Sequence, residues 1–185
     1  MAQRHSEYAR DNLEWYVEPE WVADDLFKKV KFSGKIHDPC CGLGTIPGAA
    51  RRAGYTASGS DIADRGEGYP VTNYEQDPKT YDNIVTNPPY KQTVRIFEWA
   101  SLHTSSPGKI AMIVPIGFLC SQSRFHLWRW VETVIIYSRR PSMPPGEILE
   151  ALGESCRKGG STDYCWIVWN FAYNGQPTIQ WSLGK

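Results

Sequence analysis

The chain has no net charge, no long apolar run, no C-x-x-C motif, no internal repeat and no low-complexity tract. Its 185 residues carry 20 Lys and Arg against 20 Asp and Glu. Bulk electrostatics therefore point to neither nucleic acid nor a membrane surface, although a neutral total leaves room for a local basic face. No apolar stretch approaches the roughly 18 residues needed to span a bilayer, so no membrane association is expected. Met1-Ala2-Gln3-Arg4-His5 lacks the apolar core of a signal peptide. The five cysteines, Cys40, Cys41, Cys120, Cys156 and Cys165, are odd in number. That speaks against a disulfide frame or a zinc site and for reduced thiols in a cytoplasm. His37, His103 and His126 fall into no ligand pattern, and no metal is expected. The length suits one domain, 1–185, with a real core.

What is present is an alternation of apolar strands and amphipathic helices. Trp21, Val22, Leu26, Phe27 and Val30 fit one face of a helix from Pro19 to Lys29, with Pro19 in its first turn and acids in its first half. Short strands are expected at Lys35–Asp38, Thr56–Asp61 and Tyr81–Thr86, and a helix at Thr45–Arg52 that stops at Gly54. Thr93–Leu102 reads as a helix and Phe125–Trp130 as a short one. Lys109–Pro115 is nearly all apolar, as a central parallel strand should be. Thr133–Tyr137 and Tyr164–Trp169 complete the strands that can be located. The order predicts an open α/β sheet. Arg139–Asp163, rich in Pro, Gly and Ser, is a long connection of the kind that usually carries function.

Two motifs carry chemistry. Asn87-Pro88-Pro89-Tyr90 follows a strand. Its prolines lock φ and remove two donors, and each residue ahead of a proline is pushed out of the α region. The result is a stiff corner, with an amide, carbonyls and an aromatic ring, suited to gripping a flat amino group. Asp38-Pro39-Cys40-Cys41-Gly42-Leu43-Gly44-Thr45 sits at a strand-to-helix turn, where open α/β sheets bind ligands. Gly42 and Gly44 admit close backbone approach, and Thr45 opens a helix with free N–H groups. Asp61 follows Asp38 by 23 residues, near the spacing of about 20 at which an acid meets ribose hydroxyls in dinucleotide sites. These features point to an adenosine-bearing ligand. The G-x-G-x-x-G pattern is not met and no P-loop lysine follows. Asp38, ahead of the glycines, suits a ligand with an ammonium group better than a pyrophosphate.

The Asp38–Thr45 segment, then Asp61, then Asn87-Pro88-Pro89-Tyr90, resembles the S-adenosylmethionine-dependent amino-methyltransferases. The resemblance is to the DNA adenine-N6 methyltransferases in particular, especially small phage-type members. It extends from Trp15-Tyr16-Val17-Glu18-Pro19, similar to the segment that closes over the cofactor's methionine part, to Asp163–Trp169, similar to a late strand of the phage group. It implies a Rossmann-like class I methyltransferase: an open, mixed seven-stranded sheet, mostly parallel, with one antiparallel strand near the C-terminus and helices on both faces. It implies S-adenosyl-L-methionine as cofactor and DNA as partner. Asn87, Pro88, Pro89 and Tyr90 are then the catalytic corner, with the Asn87 side-chain oxygen and the Pro88 carbonyl accepting both N–H bonds of the amine and Tyr90 stacking on a base swung out of the duplex. The cofactor would be met by Tyr16, Pro19, Asp38, Pro39, Cys40, Gly42, Gly44, Thr45 and Asn87. Asp61 would hold its ribose and Ile62 pack on its adenine. Asp77 would hold its amino group, although only Pro78-Lys79-Thr80 separate it from Tyr81. Asp82 is expected to be structural.

Each assignment has a plainer counterpart. The proline corner could be a rigid loop, Asp38 a helix cap, Asp61 a turn residue, and Tyr16 a packing aromatic. Arg124, Arg129, Arg139, Arg140, Arg157 and Lys158 could line a phosphate-binding groove or form a solvated face. The 139–163 segment is the one sizeable insert available to contact a target. RNA bases or a protein glutamine are alternative substrates, although glutamine methyltransferases of release factors carry an N-terminal helical domain for which fewer than about 30 residues leave no room. A catalytically silent cofactor- or nucleic-acid-binding subunit is the alternative of another class. A nicotinamide oxidoreductase is disfavoured, because this chain lacks the third glycine of that pattern and such an enzyme has no use for the double-proline corner.

Overall fold

The computed structural model describes residues 14–184; the Met1–His5 stretch lies outside them. Helix α1 (Glu20–Lys29) starts after an extended Pro19. Glu20 in its first turn and Lys28 and Lys29 in its last complement the helix dipole. Strand β1 (Ile36–Asp38) leads through the glycine segment into α2 (Thr45–Arg52), then β2 (Ala57–Gly59), β3 (Asn83–Thr86), α3 (Thr93–His103) and β4 (Lys109–Pro115). Beyond them lie β5 (Val131–Tyr137), α4 (Gly146–Leu152), β6 (Tyr164–Asn170) and β7 (Thr178–Ser182). The sheet order is β2-β1-β3-β4-β6-β5-β7. β6 alone runs antiparallel to its neighbours β4 and β5, while the other pairs are parallel. This is the expected mixed seven-stranded sheet.

Alternation along the strands feeds two apolar layers. Val85, Ala111, Ile113, Trp166 and Val168 face α1 and α2, which contribute Val22, Leu26, Ile46 and Ala49. Ile84, Ile110, Met112, Ile167 and Trp169 face α3, which contributes Ile96, Phe97 and Trp99. The buried indoles are satisfied by main-chain carbonyls: Trp166 Nε1 donates to Val22 O at 3.1 Å and Trp169 Nε1 to Leu127 O at 2.7 Å. Asn83 laces the strand starts together, donating to Ser33 O and Lys35 O and accepting from Lys109 N. Asp82 accepts from Lys35 N at 2.8 Å, the structural role expected of it.

Several boundaries differ from the sequence reading. Gln122–Trp130 winds as 3₁₀ turns, not as an α-helix from Phe125. Tyr81 and Asp82 lie outside β3, and β2 stops at Gly59, so Asp61 sits in the loop beyond it. The 139–163 segment is not all loop, because α4 and a 3₁₀ turn at Gly153–Cys156 lie within it. No helix among the described residues is long and apolar enough to cross a membrane, and no group of three or more His, Cys, Asp or Glu among them could hold a metal ion.

Mid-strand in β1, His37 is 5% exposed. Its ring stacks on Tyr81 with centroids 3.8 Å apart and a 2° interplanar angle. Nδ1 lies 2.9 Å from Ser58 Oγ. Burial lowers its pKa from 6.5 to about 4, against the opposing pull of the Asp77 charge. The unfolded chain therefore takes up this proton first, and stability falls as pH drops from about 6.5 toward 4. The expected contribution is about 2 kcal/mol lost by pH 5. Urea titrations at pH 7.5 and pH 5 should show a smaller difference for His37→Phe than for the parent chain.

Candidate active site

The carboxyl ends of β1, β2 and β3 open onto one cleft. It is lined by the 14–18 strap, the Pro39–Leu43 turn, Thr45, Asp61, Ile62, Arg65, Asn87 and Pro89. The two motifs and the Asp61 loop, separate in sequence, thus meet at one place. Gly42 has φ +49°, and a Cβ there would lie 2.8 Å from Trp15 Nε1. Its N–H donates to Asp61 Oδ2 at 2.9 Å. The glycine turn is therefore tied to the acid beyond the next strand, with the strap packed against it. Gly44 caps α2 with φ +77°, and a side chain there would run into the Tyr69 ring. Asp61 is 7% exposed. Its Oδ1 accepts from Ala63 N at 3.1 Å and lies 3.6 Å from Arg65 Nε. The Arg65 guanidinium lies 3.8 Å from the centre of the Trp15 ring.

The proline corner is held from the strap. Asn87 Nδ2 donates to Tyr16 O at 2.8 Å and to Glu18 Oε2 at 2.8 Å. Both neighbours only accept, so chemistry assigns the amide: the nitrogen faces the strap and Oδ1 is turned elsewhere. Asn87 Oδ1 is buried with no hydrogen-bond partner among the described residues. Glu18 is 6% exposed, and burial raises its pKa, against hydrogen bonding by Asn87 and the nearby Arg157 charge. The Tyr90 ring lies parallel to that of Tyr16, 7° between planes and 6.2 Å between centroids. It also tilts against Tyr164 at 5.7 Å, and its hydroxyl lies 3.4 Å from Met143 Sδ.

Of the expected site residues, Tyr16, Pro39, Cys40, Gly42, Thr45, Asp61, Ile62, Asn87 and Pro89 line the cleft. Pro19, Asp38, Gly44, Pro88, Tyr90 and Asp77 are not among its lining residues. Asp38 is 1% exposed and accepts from Cys40 N at 3.0 Å. It braces the turn, and burial raises its pKa strongly, helped by the charges of Glu18 and Asp61. Asp77 accepts from the Tyr81 hydroxyl at 2.5 Å and from Lys79 N at 3.0 Å. That partner set satisfies it away from the cleft. Both thiols of the vicinal pair are pushed up by burial, Cys40 strongly, which keeps them protonated and unreactive.

Two residues, Glu18 and Arg65, are not singled out by sequence, and Arg157 is named only as part of a basic face. Glu18 is one of two acids in the 14–18 strap. Arg65 stands one helical turn's spacing beyond Asp61. Arg157, expected in a basic face, instead donates to Val17 O at 2.8 Å, Ser142 O at 2.7 Å and Glu18 O at 3.4 Å. The 139–163 segment it belongs to also clasps the strap, through Val17 N to Pro144 O at 3.0 Å and Gly146 N to Trp15 O at 2.9 Å. Part of the insert expected to contact a target therefore closes the cleft.

No protein-family description and no curated protein matches the sequence. Solved structures do match in shape. A type I restriction-modification methyltransferase subunit from Streptococcus thermophilus superimposes with TM-score 0.60 at 14% identity, over 86% of this chain and 45% of that one. The modification subunit of a putative type I restriction enzyme from Vibrio vulnificus gives 0.58 at 14%, over 90% and 46%. A putative class I S-adenosylmethionine-dependent methyltransferase from Listeria monocytogenes gives 0.58 at 14%, over 95% and 67%. The chain spans less than half the length of the two restriction-modification subunits. At such identities the likeness is one of fold, and the fold is the Rossmann-like class I methyltransferase type.

Gly42 should tolerate no side chain. Gly42→Ala forces a positive φ on alanine and displaces Trp15, and equilibrium urea unfolding should show a loss of about 1–3 kcal/mol.

Proposed function

We propose that this chain is an S-adenosylmethionine-dependent methyltransferase acting on the exocyclic N6 amine of adenine in DNA. The observation that carries the reading is the Asn87 amide: pinned by two acceptors through its nitrogen, it keeps a buried oxygen unpartnered at the edge of the cleft. An unpaired buried acceptor costs roughly 1–3 kcal/mol, and a substrate N–H satisfies it. An adenine amine delocalises its lone pair into the ring. Accepting its N–H bonds at Asn87 Oδ1 and the Pro88 carbonyl returns electron density to the nitrogen and orients it, a contribution of positioning and electrostatics.

The cleft fits the cofactor on its own features. The Gly42 turn brings bare backbone to the surface, Asp61 offers a carboxylate to the ribose, and Ile62, 57% exposed, offers an apolar face to an adenine. When bound, S-adenosylmethionine supplies an electrophilic methyl group on a sulfonium. Tyr16 and Tyr90 provide the aromatic surface beside Asn87. The choice of DNA is supported by the motif order and by the restriction-modification subunits that share the fold.

Duplex DNA, RNA and total cell protein should be offered in parallel with radiolabelled S-adenosylmethionine. Label is expected in DNA, at adenine; label in RNA or protein alone overturns the DNA assignment. Cofactor binding without label in any of them identifies a silent subunit. Asn87→Ala should lower methyl transfer by at least about 100-fold while calorimetry finds cofactor affinity within a few-fold; full activity in that variant removes the corner from the mechanism. Asp61→Ala should weaken cofactor binding by roughly tenfold or more, and unchanged affinity takes Asp61 out of the site.

A further inference from the structure

The strap does more to the corner than cover it. Asn87 lies 69 residues from Glu18, yet the two side chains meet at 2.8 Å. Glu18 is 6% exposed, in a place where a carboxylate is costly to bury. Its backbone is fixed independently. Arg157 donates to the carbonyls of Val17 and Glu18, Val17 N donates to Pro144 O, and Pro19 is the N-cap of α1. A side-chain amide can rotate by half a turn and exchange its oxygen for its nitrogen at little steric cost. In the exchanged state Asn87 would present two donors where the proposed reaction needs an acceptor. The Tyr16 carbonyl opposes that exchange through one hydrogen bond, and Glu18 supplies the second.

We infer that Glu18 is a positioning residue, which together with the Tyr16 carbonyl locks the Asn87 amide so that Oδ1 is the acceptor presented to the substrate amine. The assignment rests on the methyltransferase reading for its consequence, but not for its geometry. The role requires an acceptor oxygen, not a negative charge. Glutamine at position 18 keeps an oxygen at the same reach, and the Tyr16 carbonyl still demands an N–H from Asn87. Methionine has a similar length and no oxygen, so it removes the acceptor without opening a cavity. Both substitutions also remove a buried charge whose desolvation the fold otherwise bears, so both variants should fold.

Two measurements on the full chain decide it. The first does not depend on activity: the Asn87 side-chain amide protons, assigned by their disappearance in Asn87→Ala, are followed by ¹⁵N-edited NMR. Their exchange with solvent should be slow in the parent chain and in Glu18→Gln, and at least about tenfold faster in Glu18→Met. Equal protection in Glu18→Met overturns the inference. The second is steady-state methyl transfer to whichever polymer the parent chain labels. Glu18→Met should lower kcat by about tenfold, the equivalent of one hydrogen bond at 1.4 kcal/mol. KM for the polymer and cofactor affinity should stay within about threefold, and Glu18→Gln should recover kcat to within about threefold of the parent. An unchanged kcat in Glu18→Met, or an equal loss in both variants, refutes the positioning role. A parent chain that labels no polymer refutes the proposed function, and the exchange measurement still decides what Glu18 does to Asn87.

Discussion

Arg157 reaches from the end of the 139–163 segment to the carbonyls of Val17, Ser142 and Glu18, and its Nε pairs with Glu154 at 2.8 Å. Hydrogen bonds from a charged donor are worth about 1.5–3 kcal/mol each. The planar guanidinium can serve several acceptors from one rigid group, which a lysine ammonium cannot do in the same geometry. The sheet needs none of this, since its apolar layers close on α1, α2 and α3. The site does need it. The strap is a chain segment lying outside the main strands, and its orientation is what sets Trp15 against Gly42 and Glu18 against Asn87. One cation 140 residues along the chain therefore links the fold's late segment to the geometry of its cleft.

Three carboxyl groups, Glu18, Asp38 and Asp61, are buried at or beside the cleft. The charges of Glu18 and Asp61 each help raise the pKa of Asp38, and with Asp38 they help raise that of Cys41. Burial is the larger cause in both, but the added influence of the carboxylates shows how close they stand. Arg65 is the cation among the residues that line the cleft, held between Asp61 and the face of Trp15. Burial favours the neutral forms of Glu18 and Asp38, and Arg65 stands beside the Asp61 carboxylate. Burial also keeps the vicinal thiols protonated, so cysteines at the heart of the turn serve as small packing groups.

Legibility from sequence followed the range of the interactions. β3, β4 and α2 were readable because burial on both strand faces, or a glycine stop, is written locally: Lys109–Pro115 and Thr45–Arg52 coincide with observed bounds. β7 was not located, because an edge strand with Ile179 and Trp181 exposed and Ser182 buried lacks the usual sign of an inward apolar face. Gln122–Trp130 misled because its aromatic and basic residues suit either a 3₁₀ or an α-helical turn. The meeting of the glycine turn and Asp61 at one cleft was legible through motif spacing, but the Gly42 N–H bond to Asp61 was not. Asp77 illustrates the limit: its position suggested a ligand, but only the folded chain shows that Tyr81, four residues on, takes its carboxylate. Glu18 and Arg157 act across 69 and 140 residues, where no local period survives.

Asn87 Oδ1 is not the only buried polar atom without a hydrogen-bond partner among the described residues, since Asp25 Oδ2, Arg65 Nε, Thr86 Oγ1 and Trp99 Nε1 are others. Asn87 and Trp99 differ in setting. Trp99 belongs to α3 and lies in an apolar layer, packed beside Tyr74, Tyr81 and His103. Asn87 lies on the wall of a cleft, follows a strand end, and has its nitrogen fully engaged by acceptors that forbid the opposite orientation. A fold that sought only stability would avoid that oxygen by using an apolar residue. Instead it adds a buried carboxylate, itself unfavourable, to keep the oxygen where it is. Two costly choices that converge on one atom are what the proposed role of Asn87 accounts for.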